Sequence, residues 1–226
     1  MKDFRAISKN YFGKVKSGFG FKTDFGKIFK EYDVARYTKM FDSRPETHKQ
    51  LVSFLESKKD IKTVAEIGCS IGLYPTRFVD VFNKLQYTGF DISESSINYC
   101  KEHSKFEFIC TDFLKDPISR KYDFVFSVGV IDHVYDIDLF IRKIVELTDK
   151  YAYINSYRGY FPKLEKHKMS WVDADGVYYN YISAVQARNV LLDCDLSEDQ
   201  FEIIPSPSGN SNNDIETVIR ITKNDN

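Results

Sequence analysis

Thr63-Val64-Ala65-Glu66-Ile67-Gly68-Cys69-Ser70-Ile71-Gly72 decides how this chain is to be read. Its first five residues are apolar at nearly every place, the pattern of a short strand covered on both faces. The glycines break that run, and a helical stretch follows. Working outward, the same kind of run recurs at Tyr87–Asp91, Phe106–Cys110, Tyr122–Ser127 and Tyr151–Asn155, with a helix predicted at Ile137–Leu147 between the last two. Strand and helix alternate, which is the signature of a parallel sheet wound on both faces. Beyond a helix at Ser183–Leu192, two further runs, Gln200–Ile204 and Ile215–Ile221, flank Pro205-Ser206-Pro207-Ser208-Gly209-Asn210. That linker has turn composition, so the last two strands should pair antiparallel. The expected fold is α/β: a Rossmann-like, doubly wound, seven-stranded and mostly parallel sheet with an antiparallel last strand.

Upstream, Pro45 suits the first turn of a helix whose apolar residues Leu51, Val52, Phe54 and Leu55 fall at helical spacing and which should end near Lys59. Residues 11 to 29 mix glycine and aromatics without periodicity. The expected organisation is an N-terminal arm or lid over residues 1–43 and one domain over residues 44–226. Within it, residues 157–182 form an insert that fits no regular element. A long irregular stretch inside a compact domain is usually functional, and its aromatic content argues against disorder.

Composition sets bounds. The chain has 226 residues, 42% hydrophobic and 29% charged, with 19 Phe and 15 Tyr to build a core. No run is apolar enough for a signal peptide or a membrane span, so a cytoplasmic protein with no membrane partner is expected. Cys69, Cys100, Cys110 and Cys194 show neither C-x-x-C nor zinc spacing and read as reduced. The net charge is −1, but residues 1 to 40 carry ten Lys or Arg against four Asp or Glu, about +6, leaving about −7 for the remainder. Such an arm suits nucleic acid, an anionic surface or an acidic substrate; spread as it is, it equally suits a solvated face.

Gly68 and Gly72 let a ligand approach the backbone, and the helix that follows presents N–H groups to it. Asp91, nineteen residues after Gly72, ends the second strand. In a parallel sheet that places a carboxylate beside the glycine turn, where it can accept from both hydroxyls of a ribose. A nucleoside-containing cofactor follows. A dinucleotide fingerprint would need glycine at the first, third and sixth places, which hold Gly68, Ser70 and Leu73.

The segment instead resembles the class I S-adenosylmethionine-dependent methyltransferases of small-molecule type, whose first motif is an acid, one residue, and glycines at alternate places. Glu66, Gly68 and Gly72 match it, with Cys69 between them and Ser70 in place of the middle glycine. The resemblance runs in register to about Asn155. It implies that Asp91 holds the ribose, that Ile92 packs on the adenine, and that Asp112 and Phe113 sit at the adenine amino group and ring. Ser127 would open the segment facing the methyl, Ser127-Val128-Gly129-Val130-Ile131-Asp132-His133. Standing alone, Asp91 reads as a helix cap and Asp112 as a turn cap; their place at successive strand ends favours the cofactor.

The acceptor side is read more coarsely. His133 follows the fourth strand and is a candidate general base, with packing its alternative; His167 in the insert is a second candidate. Asp132, Tyr157, Arg158 and Tyr160 are expected on the acceptor, Arg158 as the main contact for an anion. The metal-binding variant of the resemblance needs an acid where Gly129 stands, so no metal is expected. The expected reaction is methyl transfer to an oxygen, or else a nitrogen, of a small anionic acceptor such as a sugar or phosphoryl compound. Methylation of RNA or DNA is supported by the basic arm, though the fourth motif lacks the Asn/Asp-Pro-Pro-aromatic pattern of base methylation. A non-catalytic cofactor-binding protein would share the same binding residues.

Overall fold

The computed structural model describes residues 33–58, 60–211 and 214–223. The aromatic stretch at 11 to 29 and most of the basic arm lie outside them. Seven strands form one sheet: β1 (Thr63–Ile67), β2 (Gln86–Asp91), β3 (Glu107–Cys110), β4 (Tyr122–Val128), β5 (Thr148–Ser156), β8 (Phe201–Pro207) and β9 (Ile215–Thr222). Their spatial order is β3-β2-β1-β4-β5-β9-β8. The first five are mutually parallel, and β9 runs antiparallel to both β5 and β8. The order reverses between β1 and β4, the switch point outside which open α/β sheets bind ligands.

Alternate residues of each central strand feed two cores. Ala65, Val125, Ala152, Ile154 and Ile219 face α6 (Ile137–Leu147) and α7 (Ala184–Leu192). Val64, Phe124, Phe126, Tyr153 and Val218 face α2 (Pro45–Glu56) and α5 (Glu94–His103). Ile141 and Ile144 of α6 are fully buried, and truncating either to alanine should cost about 2–5 kcal/mol. Asp136, Ser93 and Ser183 cap α6, α5 and α7, each side chain accepting from a backbone N–H three residues on, worth about 1 kcal/mol apiece. After β1 come two short helices, α3 (Leu73–Arg77) and α4 (Val79–Phe82), separated at Phe78, whose ψ of 51° leaves the helical region. Ahead of α2, α1 (Val34–Asp42) is capped by Asp33 and leads through Arg44 into Pro45, the first residue of α2. Among the described residues no helix is long and apolar enough to cross a membrane.

The insert corrects the sequence expectation. Residues 157–182 are not irregular throughout: β6 (Lys168–Val172) and β7 (Val177–Tyr181) form a separate antiparallel hairpin. Asp173-Ala174-Asp175-Gly176 closes it, with Gly176 at φ +66° and both Asp175 N and Gly176 N donating to Val172 O. The signal was present as a turn sequence ending in glycine between aromatic, β-branched runs. Charged and polar residues among those runs obscured the alternation.

Candidate active site

The cleft opens at the carboxyl ends of β1, β2 and β4 and encloses about 1090 Å³ of space continuous with solvent. Gly68 and Asp91 form its floor. Gly68 has φ +81°, and a Cβ there would fall 2.1 Å from Val130 Cγ2. Only glycine lets the loop after β1 lie against the loop after β4. Gly68 N and Cys69 N both donate to Phe90 O, at 2.7 and 3.0 Å, so the turn is tied to β2 immediately before Asp91. The Asp91 carboxylate accepts from Ser70 N at 2.8 Å and from Ser93 N at 2.9 Å, one bond to each oxygen. Each oxygen keeps acceptor capacity for a ligand hydroxyl, and Asp91 lines the cleft. Burial raises its pKa, opposed by these backbone donors.

Ile92, Asp112 and Phe113 line the same cleft, together with Thr111 and Leu114. Ile92 is 42% exposed, an apolar side chain offered to a ring face. Asp112 accepts from Leu114 N at 3.1 Å, and Lys115 Nζ lies 3.0 Å from its other oxygen. Phe113 is held edge-on to Phe140 at 5.5 Å.

Four residues of the cofactor set stand behind this wall. Glu66 is buried, and Tyr87 donates to its carboxyl at 2.5 Å; burial pushes its pKa up to about 8, so it is mostly a neutral acid at pH 7. Ser127 donates to Ile67 O at 2.9 Å and ties β4 to β1. Cys69 is buried. Gly72 begins α3 at φ +70°, with Phe108 and the Cys100 sulfur 3.1–3.3 Å from where its Cβ would be. These four shape the cleft from outside it.

On the acceptor side, His133 and Tyr157 line the cleft. His133 Nδ1 is 2.9 Å from the carbonyl oxygen of Tyr178, so it carries the hydrogen, and the Tyr157 hydroxyl donates to Nε2 at 2.5 Å. Burial pushes the His133 pKa down to about 4, helped by the Arg158 and Arg44 cations. The imidazole is neutral. Asp132 does not reach the cleft: it is buried, accepts from Ser156 Oγ at 2.7 Å and Tyr157 N at 3.2 Å, and is raised to about 6 chiefly by burial. Its work is to orient Tyr157.

The insert residues are placed differently from the sequence expectation. Arg158 stacks on Tyr179 at 3.9 Å, lies 5.2 Å from the Tyr157 ring centre, and stands outside the cleft lining. Tyr160 turns away to Ile203 O at 3.4 Å. His167 accepts from Ser183 N at 2.9 Å and places Nε2 3.3 Å from Asp138, so it fastens the insert to α7 and α6 and does not meet the cleft.

Among the described residues the Lys or Arg side chain that lines the cleft is that of Arg44, which sequence reasoning passed over. Its guanidinium sits 4.0 Å from the Tyr157 ring centre, and Nε is 3.7 Å from buried Glu216, whose other oxygen accepts from Thr47 and Asn155, each at 2.7 Å. A single Arg between two helices carries no local signal; its meaning lies in a strand 170 residues later. Tyr37 and Met40 of α1 join it, so α1 forms part of the cleft wall.

The lining offers the groups a nucleoside would need: a carboxylate at Asp91 able to accept from a diol, apolar side chains at Ile92 and Phe113, and a cation at Arg44. Comparisons with known proteins bear on the fold and the family. Residues 64–150 match a family model described as a methyltransferase domain. Among curated proteins, (S)-coclaurine N-methyltransferase of Papaver somniferum is 27% identical over 130 residues, 55% of this chain and 37% of that enzyme. Pavine N-methyltransferase of Thalictrum flavum subsp. glaucum is 25% identical over 130 residues, 55% of this chain and 36% of that enzyme. The chain thus spans little more than a third of the length of these relatives. Among solved structures, magnesium protoporphyrin IX methyltransferase from Synechocystis PCC 6803 with bound S-adenosylmethionine superposes with a TM-score of 0.59 at 16% identity, covering 88% of each chain. The N-methyltransferase NodS of Bradyrhizobium japonicum WM9, in complex with S-adenosylhomocysteine, gives 0.56 at 17% identity, covering 80% of this chain and 87% of that one.

Proposed function

We propose that this chain is a class I S-adenosylmethionine-dependent methyltransferase and that it methylates an oxygen of a small acceptor. The observation that carries the reading is the pairing of Gly68 with Asp91: a backbone cradle that only glycine permits, beside a carboxylate whose two oxygens still have room to accept. S-adenosylmethionine, when bound, supplies an electrophilic methyl on a sulfonium. The protein's own part is to align the acceptor with that methyl and to receive the acceptor's proton. His133 and Tyr157 line the same cleft together with Val128, Gly129 and Val130, and in this reading the acceptor lies beside them.

Two guanidiniums, Arg44 and Arg158, flank the Tyr157 ring, which supports an acceptor bearing negative charge. Arg158 would act through its field and Arg44 by contact. In this reading residues 1–43 serve as a lid, and α1 within them forms part of the cleft wall. A nitrogen acceptor is the second reading, favoured by the N-methyltransferases among the relatives. Transfer of radiolabelled methyl to paired alcohol and amine acceptors separates the two.

The cofactor site is tested by calorimetry with S-adenosylhomocysteine. Asp91→Ala should weaken binding roughly tenfold to a hundredfold, the loss of two hydrogen bonds to a carboxylate. Unchanged affinity would place the ribose elsewhere.

A further inference from the structure

We propose that the proton acceptor facing the substrate is the Tyr157 hydroxyl, with His133 behind it as the final proton store, an inference that rests on the oxygen-methyltransferase reading above. Both side chains line the cleft. The Tyr157 oxygen is 2.5 Å from His133 Nε2, and Nδ1 of the same ring is committed to the carbonyl of Tyr178 at 2.9 Å. The imidazole therefore presents its acceptor nitrogen to the phenol. A substrate proton that is to reach Nε2 without displacing this bond must pass through the phenolic oxygen.

The step balances. As the acceptor oxygen bonds to the methyl carbon, the electron pair of the breaking S–C bond goes to sulfur. The acceptor's proton passes to Tyr157 Oη while Tyr157's own proton passes to His133 Nε2. Tyr157 ends as it began, neutral, and the imidazole holds the charge the sulfonium gave up. No free tyrosinate forms, which matters because burial raises the Tyr157 pKa well above that of an ordinary tyrosine. The surrounding charges are Arg44, Arg158, Asp132 and Asp175, with the Tyr179 hydroxyl also facing Tyr157. Arg158 and Arg44 disfavour a resident imidazolium, Asp175 favours it, and with burial the balance holds His133 at about 4. The store is thus empty before each turnover.

Asp132 is a positioning residue for this pair. It fixes the Tyr157 backbone N–H directly and the preceding Ser156 through its hydroxyl.

The experiment has two arms on the full-length protein. In the first, ¹⁵N NMR of the S-adenosylhomocysteine complex at pH 7 should show His133 neutral with the proton on Nδ1, and a hydroxyl proton shared with Nε2 that disappears in Tyr157→Phe. An Nε2–H tautomer, or an imidazolium at pH 7, overturns the proposal without any acceptor being present. In the second, methyl transfer to phenol and to 4-nitrophenol is compared in wild type and Tyr157→Phe at about pH 8.5, where 4-nitrophenol is largely ionised and phenol is not. The variant keeps the ring that Arg44 and Arg158 flank. It should lose about a hundredfold or more in kcat with phenol and little with 4-nitrophenol. Its phenol rate should also rise about tenfold per pH unit, where the wild type is flat above about pH 5. Equal losses with both phenols, or an unchanged pH profile, reduce Tyr157 to a packing role. A wild type that binds S-adenosylhomocysteine but methylates neither phenol removes the hydroxyl acceptor and the relay with it. Absence of S-adenosylhomocysteine binding would instead sink the methyltransferase reading itself.

Discussion

At the residue level the site turns on backbone conformation as much as on functional groups. Gly68 and Ser70 both have positive φ, +81° and +49°, yet they are not equivalent. A Cβ on Gly68 has nowhere to go, because Val130 Cγ2 would be 2.1 Å away. Ser70 already carries a Cβ in a left-handed conformation that costs a non-glycine residue on the order of 1 kcal/mol. Gly68→Ala should therefore lower Tm by several degrees and abolish cofactor binding, whereas Ser70→Gly should leave both almost unchanged, the relieved strain offsetting the entropy gained by the unfolded chain. Thermal melts and calorimetry on the pair check this; a well-folded Gly68→Ala that binds normally would mean the two loops are free to separate. The glycines and Asp91 were legible in the sequence because their roles follow from strand ends and local geometry. Arg44 and Arg158 were not. Arg158 looked like the anion contact from its neighbours in sequence, but its guanidinium stacks on Tyr179 and reaches the Tyr157 hydroxyl at 3.4 Å from outside the cleft lining, and the wall position falls to Arg44.

At the level of elements the hairpin β6–β7 is the main departure from expectation, and its position explains the acceptor side. One residue pins it. Asn180 donates from its side-chain amide to Ile131 O and Val134 O, both at 2.8 Å, and from its backbone N–H to Asp132 O at 2.9 Å. The loop that carries His133 is thereby held by the strand whose Tyr178 carbonyl receives the His133 Nδ1 hydrogen. Asn180 is fully buried, so removing its amide strands two carbonyls at about 1–3 kcal/mol each. Asn180→Ala should lower stability by about 2–6 kcal/mol and depress kcat while sparing cofactor affinity, because Gly68 and Asp91 lie at the ends of other strands. Denaturant melts together with S-adenosylhomocysteine binding test the split; equal losses in both would mean the two halves of the cleft are one cooperative unit. Strand existence and order were legible from apolar runs. The anchoring by Asn180 was not, because a polar residue in a tyrosine-rich stretch has meaning only once its partners are known.

For the molecule as a whole, two sets of buried groups pull stability in opposite directions with pH. Glu66 is raised to about 8. Its folded form holds a proton that the unfolded chain releases near pH 4.5, so its contribution is full below about pH 4.5 and is lost as pH rises toward 8. Asp132, raised to about 6, acts the same way over a lower window. His48, His133 and His167, each pushed down to about 4 by burial, destabilise the fold as pH falls from about 6.5 toward 4. The sum should be a stability maximum in mildly acidic solution. Glu66→Gln keeps the side-chain shape without the titration, so on the alkaline side of the maximum, up to about pH 8, its Tm should decline less than that of wild type, while the acid limb is shared. Parallel declines on the alkaline side would mean that Glu66 remains ionised in the folded protein. None of this could be read from sequence, where Glu66 is one letter of a motif; its proton comes from depth beneath the loop, aided by the Asp91 charge and opposed by the hydrogen bond from Tyr87.

The position of β9 has a consequence for how the protein is made. It is synthesised after β8 yet lies between β8 and β5, so β8 has no place on the sheet until β9 exists, and the two must dock together. Until then a nascent chain exposes the unpaired edge of β5, whose residues from Ala152 to Ser156 are buried in the finished fold. Such an edge invites pairing with other chains. Ribosome stalling between β8 and β9 should therefore yield a chain that already holds Gly68, Asp91 and His133 and still depends on chaperones to stay soluble.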